Sequence, residues 1–254
     1  MVWSPGWRTP DSMSGLRLES GGVRLPVVSP HLVIAIDGPA GSGKSSVSKA
    51  VAARLGLAYL DTGAMYRAVT WAVLDAGIDP DDPAAVAGLI NGADAPTLNS
   101  GTDPANPSIM VNGIDVAGPI RGDEVTGAVS AVSAVPALRE HLVQMQRRYA
   151  SDSSTGIVVE GRDIGSVVLP DADLKVFLTA DPSVRAQRRA AETHAVDASG
   201  VSATEEALRV RDAKDSSRAV SPLARADGAV ELDTTNLTFE EVVDAVVRLA
   251  QEAK

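Results

Sequence analysis

Residues 32–45 read Leu32-Val33-Ile34-Ala35-Ile36-Asp37-Gly38-Pro39-Ala40-Gly41-Ser42-Gly43-Lys44-Ser45, and this stretch decides the fold. Its apolar start, Leu32 to Ile36, has the length and continuity of a buried strand. Gly38 to Ser45 fits G-x-x-x-x-G-K-[ST], a phosphate-binding loop. After it, Val47, Ala50, Val51 and Leu55 recur on one face of a helix. Glycines let such a loop wrap closely, so that successive backbone N–H groups point at an anion. The helix N-terminus adds its partial positive charge. Gly38, Pro39, Ala40, Gly41, Ser42, Gly43, Lys44, Ser45 and Ser46 are therefore the candidate nucleotide-binding residues. Lys44 is expected to reach the β- and γ-phosphates of a nucleoside triphosphate, and the Ser45 hydroxyl to bind Mg²⁺.

Working outward, the chain of 254 residues is long enough for one large domain or one domain with inserts. Aromatic residues are only 3 %, so the core must be built from Val, Leu, Ile and Ala. A net charge of −10 argues against nucleic acid as a partner, which needs a basic footprint. Clustered arginines still suit a small anionic substrate. With no cysteine, disulfides and thiolate chemistry are excluded. No apolar run approaches a membrane span of about 18 residues. Residues 1–30 mix Trp, Pro, Gly and Ser without periodicity and lack the apolar core of a signal peptide. They read as a flexible N-terminal extension, or as a partner-binding tail anchored by Trp3 and Trp7. A cytoplasmic monomer without membrane attachment is expected.

Downstream, Leu57 to Leu60 reads as a strand, and Asp61-Thr62-Gly63-Ala64-Met65-Tyr66-Arg67 opens a helix to about Asp75. From about Asp79 to Pro119, Pro, Gly, Asp and Asn punctuate short apolar pieces. Asn112-Gly113 between Ser108–Val111 and Ile114–Val116 is a hairpin signal. Ile120 to Ala150 reads as helix in two pieces, broken near Pro136, and carries Ser130 and Arg139. Ile157 to Val159 is a short strand that runs into Glu160-Gly161-Arg162-Asp163-Ile164-Gly165. Leu174 to Leu178 is another strand. Asp181-Pro182 then starts a helix, with Asp as N-cap and Pro at the first helical position. That helix holds Arg185, Arg188 and Arg189. Glu192 to Ser202 reads as a mobile link to a second arginine-bearing helix with Arg211, Asp215 and Arg218. A last strand, Ala229 to Leu232, and a helix opened by the capping box Thr238-Phe239-Glu240-Glu241 close the chain.

Strands that are continuous apolar runs and alternate with helices specify an α/β fold, a parallel sheet with helices on both faces. Ligands then bind beyond the carboxyl ends of the strands. The arginines near those ends suit phosphoryl transfer, which rests on positioning and on neutralising charge spread over the moving phosphoryl oxygens.

From about Leu32 to the C-terminus the chain resembles the bacterial cytidylate kinase family. The resemblance is carried by Ile36-Asp37-Gly38-Pro39, by Asp61 to Arg67, by Glu160 to Gly165 and by Val167-Val168-Leu169-Pro170-Asp171-Ala172. It extends to Arg211-Asp212-x-x-Asp215-x-x-Arg218 with Ala219-Val220-Ser221-Pro222-Leu223. It implies a P-loop kinase domain over residues 31–254, with a small β-rich monophosphate-binding insert at about 90–125 and a helical lid at about 183–220. It implies ATP as phosphoryl donor, CMP or dCMP as acceptor, and Mg²⁺. Lys44, Arg162 and Arg218 would be catalytic. The monophosphate's phosphate would be held by Arg67, Arg162 and Arg218, and the cytosine read by Ser130, Arg139 and Asp163. Arg211 and Asp215 would contact the ribose, with Thr62 and Tyr66 lining the same pocket. Arg185, Arg188 and Arg189 would face the triphosphate.

Overall fold

A computed structural model describes residues 31–192, 197–218 and 220–253. The expected N-terminal extension, and part of the expected link between the two arginine-bearing helices, lie outside the described residues.

Five parallel strands form the central sheet: β1 (Val33–Asp37), β2 (Ala58–Asp61), β6 (Ile157–Gly161), β7 (Leu174–Thr179) and β8 (Val230–Asp233). Their order is β2-β6-β1-β7-β8, so β1 lies at the centre. In β1 the side chains alternate between two cores. Ala35 joins Leu60, Val69, Val73 and Val159 on one face. Ile34 and Ile36 join Val47, Val51, Val158, Val246 and Leu178 on the other. The second face is covered by α1 (Lys44–Leu55) and α8 (Phe239–Glu252), the latter opened by the expected Thr238–Glu241 capping box. The first face is covered by α2 (Thr62–Asp75), α3 (Pro83–Asn91), α4 (Asp123–Val132) and α5 (Pro136–Asp152).

A second sheet, β3 (Leu98–Gly101), β4 (Ser108–Val111) and β5 (Ile114–Asp115), is antiparallel with order β3-β4-β5. Asn112 and Gly113 have φ of 51° and 80°, the two positive values a tight hairpin turn requires. The hairpin forms as expected, one residue shorter on its second arm. Leu98, Ile109 and Val111 drop into the core shared with α2, so this sheet is rooted in the domain. The Tyr59 N–H on the outer side of β2 donates to the Thr102 carbonyl just beyond β3, at 2.9 Å.

Two expectations need correction. Helix α3 lies in the stretch that the sequence reads as short apolar pieces of a small antiparallel insert, where no helix is expected; Asp82 caps it and Pro83 sits in its first turn, the same pair that marks Asp181-Pro182. The expected link reaches Ser202, but helix α7 (Ala198–Ser216) begins within it, because the Asp197 carboxylate accepts from the Gly200 N–H at 2.6 Å. Before it, α6 (Pro182–Glu192) carries the first group of arginines.

Candidate active site

The phosphate loop leaves β1 at the centre of the sheet. Gly38 has φ +149°, and a Cβ there would lie 2.1 Å from the Leu178 carbonyl oxygen on β7. Only glycine lets the chain turn that close to its neighbour strand. Asp37, just before it, is 4 % exposed, and its carboxylate accepts from the N–H groups of Ile164 and Gly165 at 2.8 Å each. These bonds tie the end of β1 to a π-helical turn at Ile164–Val168, directly after Arg162 and Asp163. Burial pushes the Asp37 carboxyl up to about 6, against the opposing pull of the two amides.

Lys44 is buried, and its ammonium donates to the loop's own Pro39 carbonyl at 2.7 Å. Burial and the nearby Arg162 guanidinium bring it down to about 7, while Glu160 and Asp37 oppose them. The Ser45 hydroxyl donates to Glu160 at 3.0 Å. Parallel register sets Glu160 opposite Ile36, at the carboxyl end of β6. Tyr59 donates to its other carboxylate oxygen, and Thr62 Oγ1 donates to its backbone carbonyl at 2.6 Å. Burial and the neighbouring Asp61 raise the Glu160 carboxyl above its usual range. The signal for Glu160 is present in the sequence: a carboxylate ending an otherwise apolar strand must be paired when buried.

One cavity of about 410 Å³ spans the sheet's carboxyl edge. Ala40, Gly41, Gly43, Lys44, Ser45 and Ser46 form its loop wall. Thr62, Tyr66, Arg67, Arg139, Arg162, Asp163, Arg211, Asp215 and Arg218 line the rest, with Arg189 at one side. Arg67 donates to the Ile120 carbonyl at 3.0 Å and to Thr126 Oγ1 at 2.9 Å. Arg139 and Asp163 form a buried ion pair at 2.6 Å, and the Arg139 guanidinium lies 5.2 Å from the centre of the Tyr66 ring. Asp215 is fully engaged: Arg162 Nε donates to one oxygen at 3.1 Å and Arg218 to the other. Burial lowers Arg67 to about 9, with Arg211, Arg189 and Arg121 adding to the effect. Burial lowers Arg211 to about 10, with Arg162 the next contributor. Guanidiniums that crowd one another in this way make the cavity an anion receptor.

Several expected residues stand elsewhere. Ser130 is not among the cavity-lining residues; Ser133, one turn on, is, and its hydroxyl accepts from Arg218 at 3.1 Å while its carbonyl accepts from Arg139 at 3.1 Å. Gly38, Pro39 and Ser42 shape the loop from behind the cavity wall. Of the helix α6 arginines, only Arg189 lines the cavity. Arg188 points to the other side and donates to Thr234 Oγ1 and to the Thr234 carbonyl at 2.9 and 2.8 Å. Arg185 holds the Ala40 carbonyl of the phosphate loop at 3.0 Å.

The cytidylate kinase family model matches residues 34–252. The chain belongs to the cytidylate kinase family. It is thus a phosphotransferase whose acceptor is a phosphate group. Among its relatives, cytidylate kinase of Streptomyces avermitilis is 56 % identical over 237 residues, 93 % of this chain and 99 % of that one. The Streptomyces griseus cytidylate kinase is 58 % identical over 87 % of this chain and 93 % of its own. The Streptomyces coelicolor cytidylate kinase is 58 % identical over 89 % of this chain and 95 % of its own. Among the described residues no helix is long and apolar enough to cross a membrane, and no group of three or more His, Cys, Asp or Glu has metal-site geometry.

Proposed function

We propose that this cytidylate kinase family member transfers the γ-phosphoryl group of ATP to CMP or dCMP, giving ADP and CDP or dCDP. One observation carries the reading: a single cavity joins Lys44 and Ser45 of the phosphate loop to Arg67, Arg162 and Arg218, with the Arg139–Asp163 pair beside them. The donor phosphates lie along the loop N–H groups and Lys44. Arg67, Arg162 and Arg218 hold the acceptor phosphate. Its oxygen, already ionised at neutral pH, attacks the γ-phosphorus in line, so no strong base is needed. Arg162, Arg218 and Lys44 neutralise the charge that spreads over the transferring oxygens. Asp215 fixes the forks of Arg162 and Arg218 from behind, which supports an orienting role for it.

For the base, the Asp163 carboxylate accepts from the exocyclic amine of cytosine, and Arg139 donates to the ring nitrogen and carbonyl. Uracil presents a donor where cytosine presents an acceptor, so the pair discriminates against it. Ser133 supports both Arg139 and Arg218 from the same wall. Arg211 and the Tyr66 ring border the remaining ribose space. The helix pair α6–α7 acts as a lid, and the β3–β5 sheet as the acceptor-side insert.

Magnesium fits the donor set. Ser45 and Glu160 offer hard oxygens 3.0 Å apart beside Lys44, and Mg²⁺ favours one or two protein oxygens, with phosphates and water completing its shell. Ser45, with Glu160 behind it, would hold the ion, which when bound supplies charge neutralisation at the triphosphate. Turnover with ATP over a panel of CMP, dCMP, UMP, AMP, GMP and dTMP tests the reading. The expected kcat/KM for CMP exceeds that for UMP by about tenfold or more. A higher value for a purine monophosphate or for UMP would overturn it.

A further inference from the structure

Ala40 is gripped from both sides. Its N–H donates to Asp212 Oδ1 at 3.2 Å, and its carbonyl accepts from Arg185 Nη1 at 3.0 Å. Arg185 and Asp212 close the ring by pairing with each other at 2.5 Å. The Ala40 methyl packs with Ala186 of α6 and Leu208 of α7 in a small core of its own. At the next residue, Gly41, a Cβ would meet the Arg185 carbonyl oxygen at 2.8 Å. The phosphate loop and the α6–α7 pair therefore meet at one peptide unit through packing, hydrogen bonds and charge.

Helix α7 continues from this junction to the acceptor side. Leu208, Arg211, Asp212 and Asp215 follow the i, i+3, i+4, i+7 spacing of one helical face. Along that face Leu208 and Asp212 meet the loop, Arg211 lines the cavity, and Asp215 binds both Arg162 and Arg218. One rigid element thus touches the donor loop at Asp212 and sets two acceptor arginines one turn later.

We infer that Asp212 is a positioning residue that couples the two substrates: a triphosphate on the phosphate loop fixes α7 through Asp212, and the fixed helix presents Arg162 and Arg218 to the monophosphate. The inference rests on the proposed two-substrate reading. Coupling of this kind is a ratio of affinities and is reciprocal.

The test is calorimetric titration of CMP into the full chain, with and without saturating imido analogue of ATP. Wild type is expected to bind CMP roughly fivefold tighter or more with the analogue present. Asp212→Ala should bring that ratio to about one, and Arg185→Met, which keeps the packing bulk, should do the same. Lys214→Ala, on the exposed side of α7, should keep it. A loosened fold weakens CMP equally in both titrations and leaves the ratio unchanged; that result in Asp212→Ala overturns the inference, as does a wild-type ratio of one. Failure of CMP to bind wild type in either titration would instead overturn the proposed function.

Discussion

Lys44 carries the most informative prediction. Burial and the nearby Arg162 guanidinium bring its ammonium down to about 7, so that above neutral pH the free protein holds it mostly neutral. A triphosphate on the loop brings several negative charges to it and restores an ordinary lysine pKa. Binding above neutral pH should therefore take up a proton, at most about one per site, and the affinity for an ATP analogue should fall with rising pH through this group, by at most about tenfold per pH unit. The sign follows from the lowered value: the free protein releases the proton above about 7, and binding must recover it. Titration calorimetry in two buffers of different ionisation enthalpy reads the uptake directly. Lys44→Met, measured in parallel, subtracts protons exchanged by the ligand itself. Equal buffer dependence in the two proteins would refute the argument, because the proton would then not belong to Lys44.

Further predictions follow from other contacts. Lys44→Ala should lower kcat by about 10²-fold or more while circular dichroism and Tm stay close to wild type, since the charge it removes was buried at a cost. Asp163→Ala should raise the KM for CMP far more than that for ATP, and urea unfolding should show a loss of about 3–5 kcal/mol from leaving Arg139 buried without its partner. Asp37, raised to about 6 from 3.8, favours the folded state most below pH 4 and loses that advantage as pH rises through 6. The unfolding free energy of wild type minus that of Asp37→Asn should thus fall by about 2 kcal/mol between pH 4 and pH 7, measured by urea denaturation.

Much of this site is legible in the sequence because its parts are local. The phosphate loop is a contiguous pattern between a strand and a helix, and Arg162-Asp163 follows an apolar strand that had to end at the ligand edge. What the sequence conceals depends on which way a helix is turned when it packs. Arg188 and Arg189 are neighbours, yet successive helical residues diverge by about 100°, so one lines the cavity and the other braces Thr234. Ser133 and Ser130 share a helical face, and what separates them is the step of one turn along the axis to the C-cap of α4. Glu160 and Asp212 act across 115 and 172 residues of chain, and no local pattern announces those partners. Helix α3 is a different case: its cap was readable, but a short helix beside Asp, Pro and Gly looks like a turn.

The bond from the outer side of β2 to Thr102 has a consequence beyond the chemistry. β2 ends the five-stranded sheet, and an uncovered edge of that kind offers unpaired N–H and C=O groups to any other chain. The segment that follows β3 into the small antiparallel sheet also shields this edge. Shortening the small antiparallel sheet would therefore uncover a surface that recruits other copies of the protein, so trimming it would come at the cost of solubility.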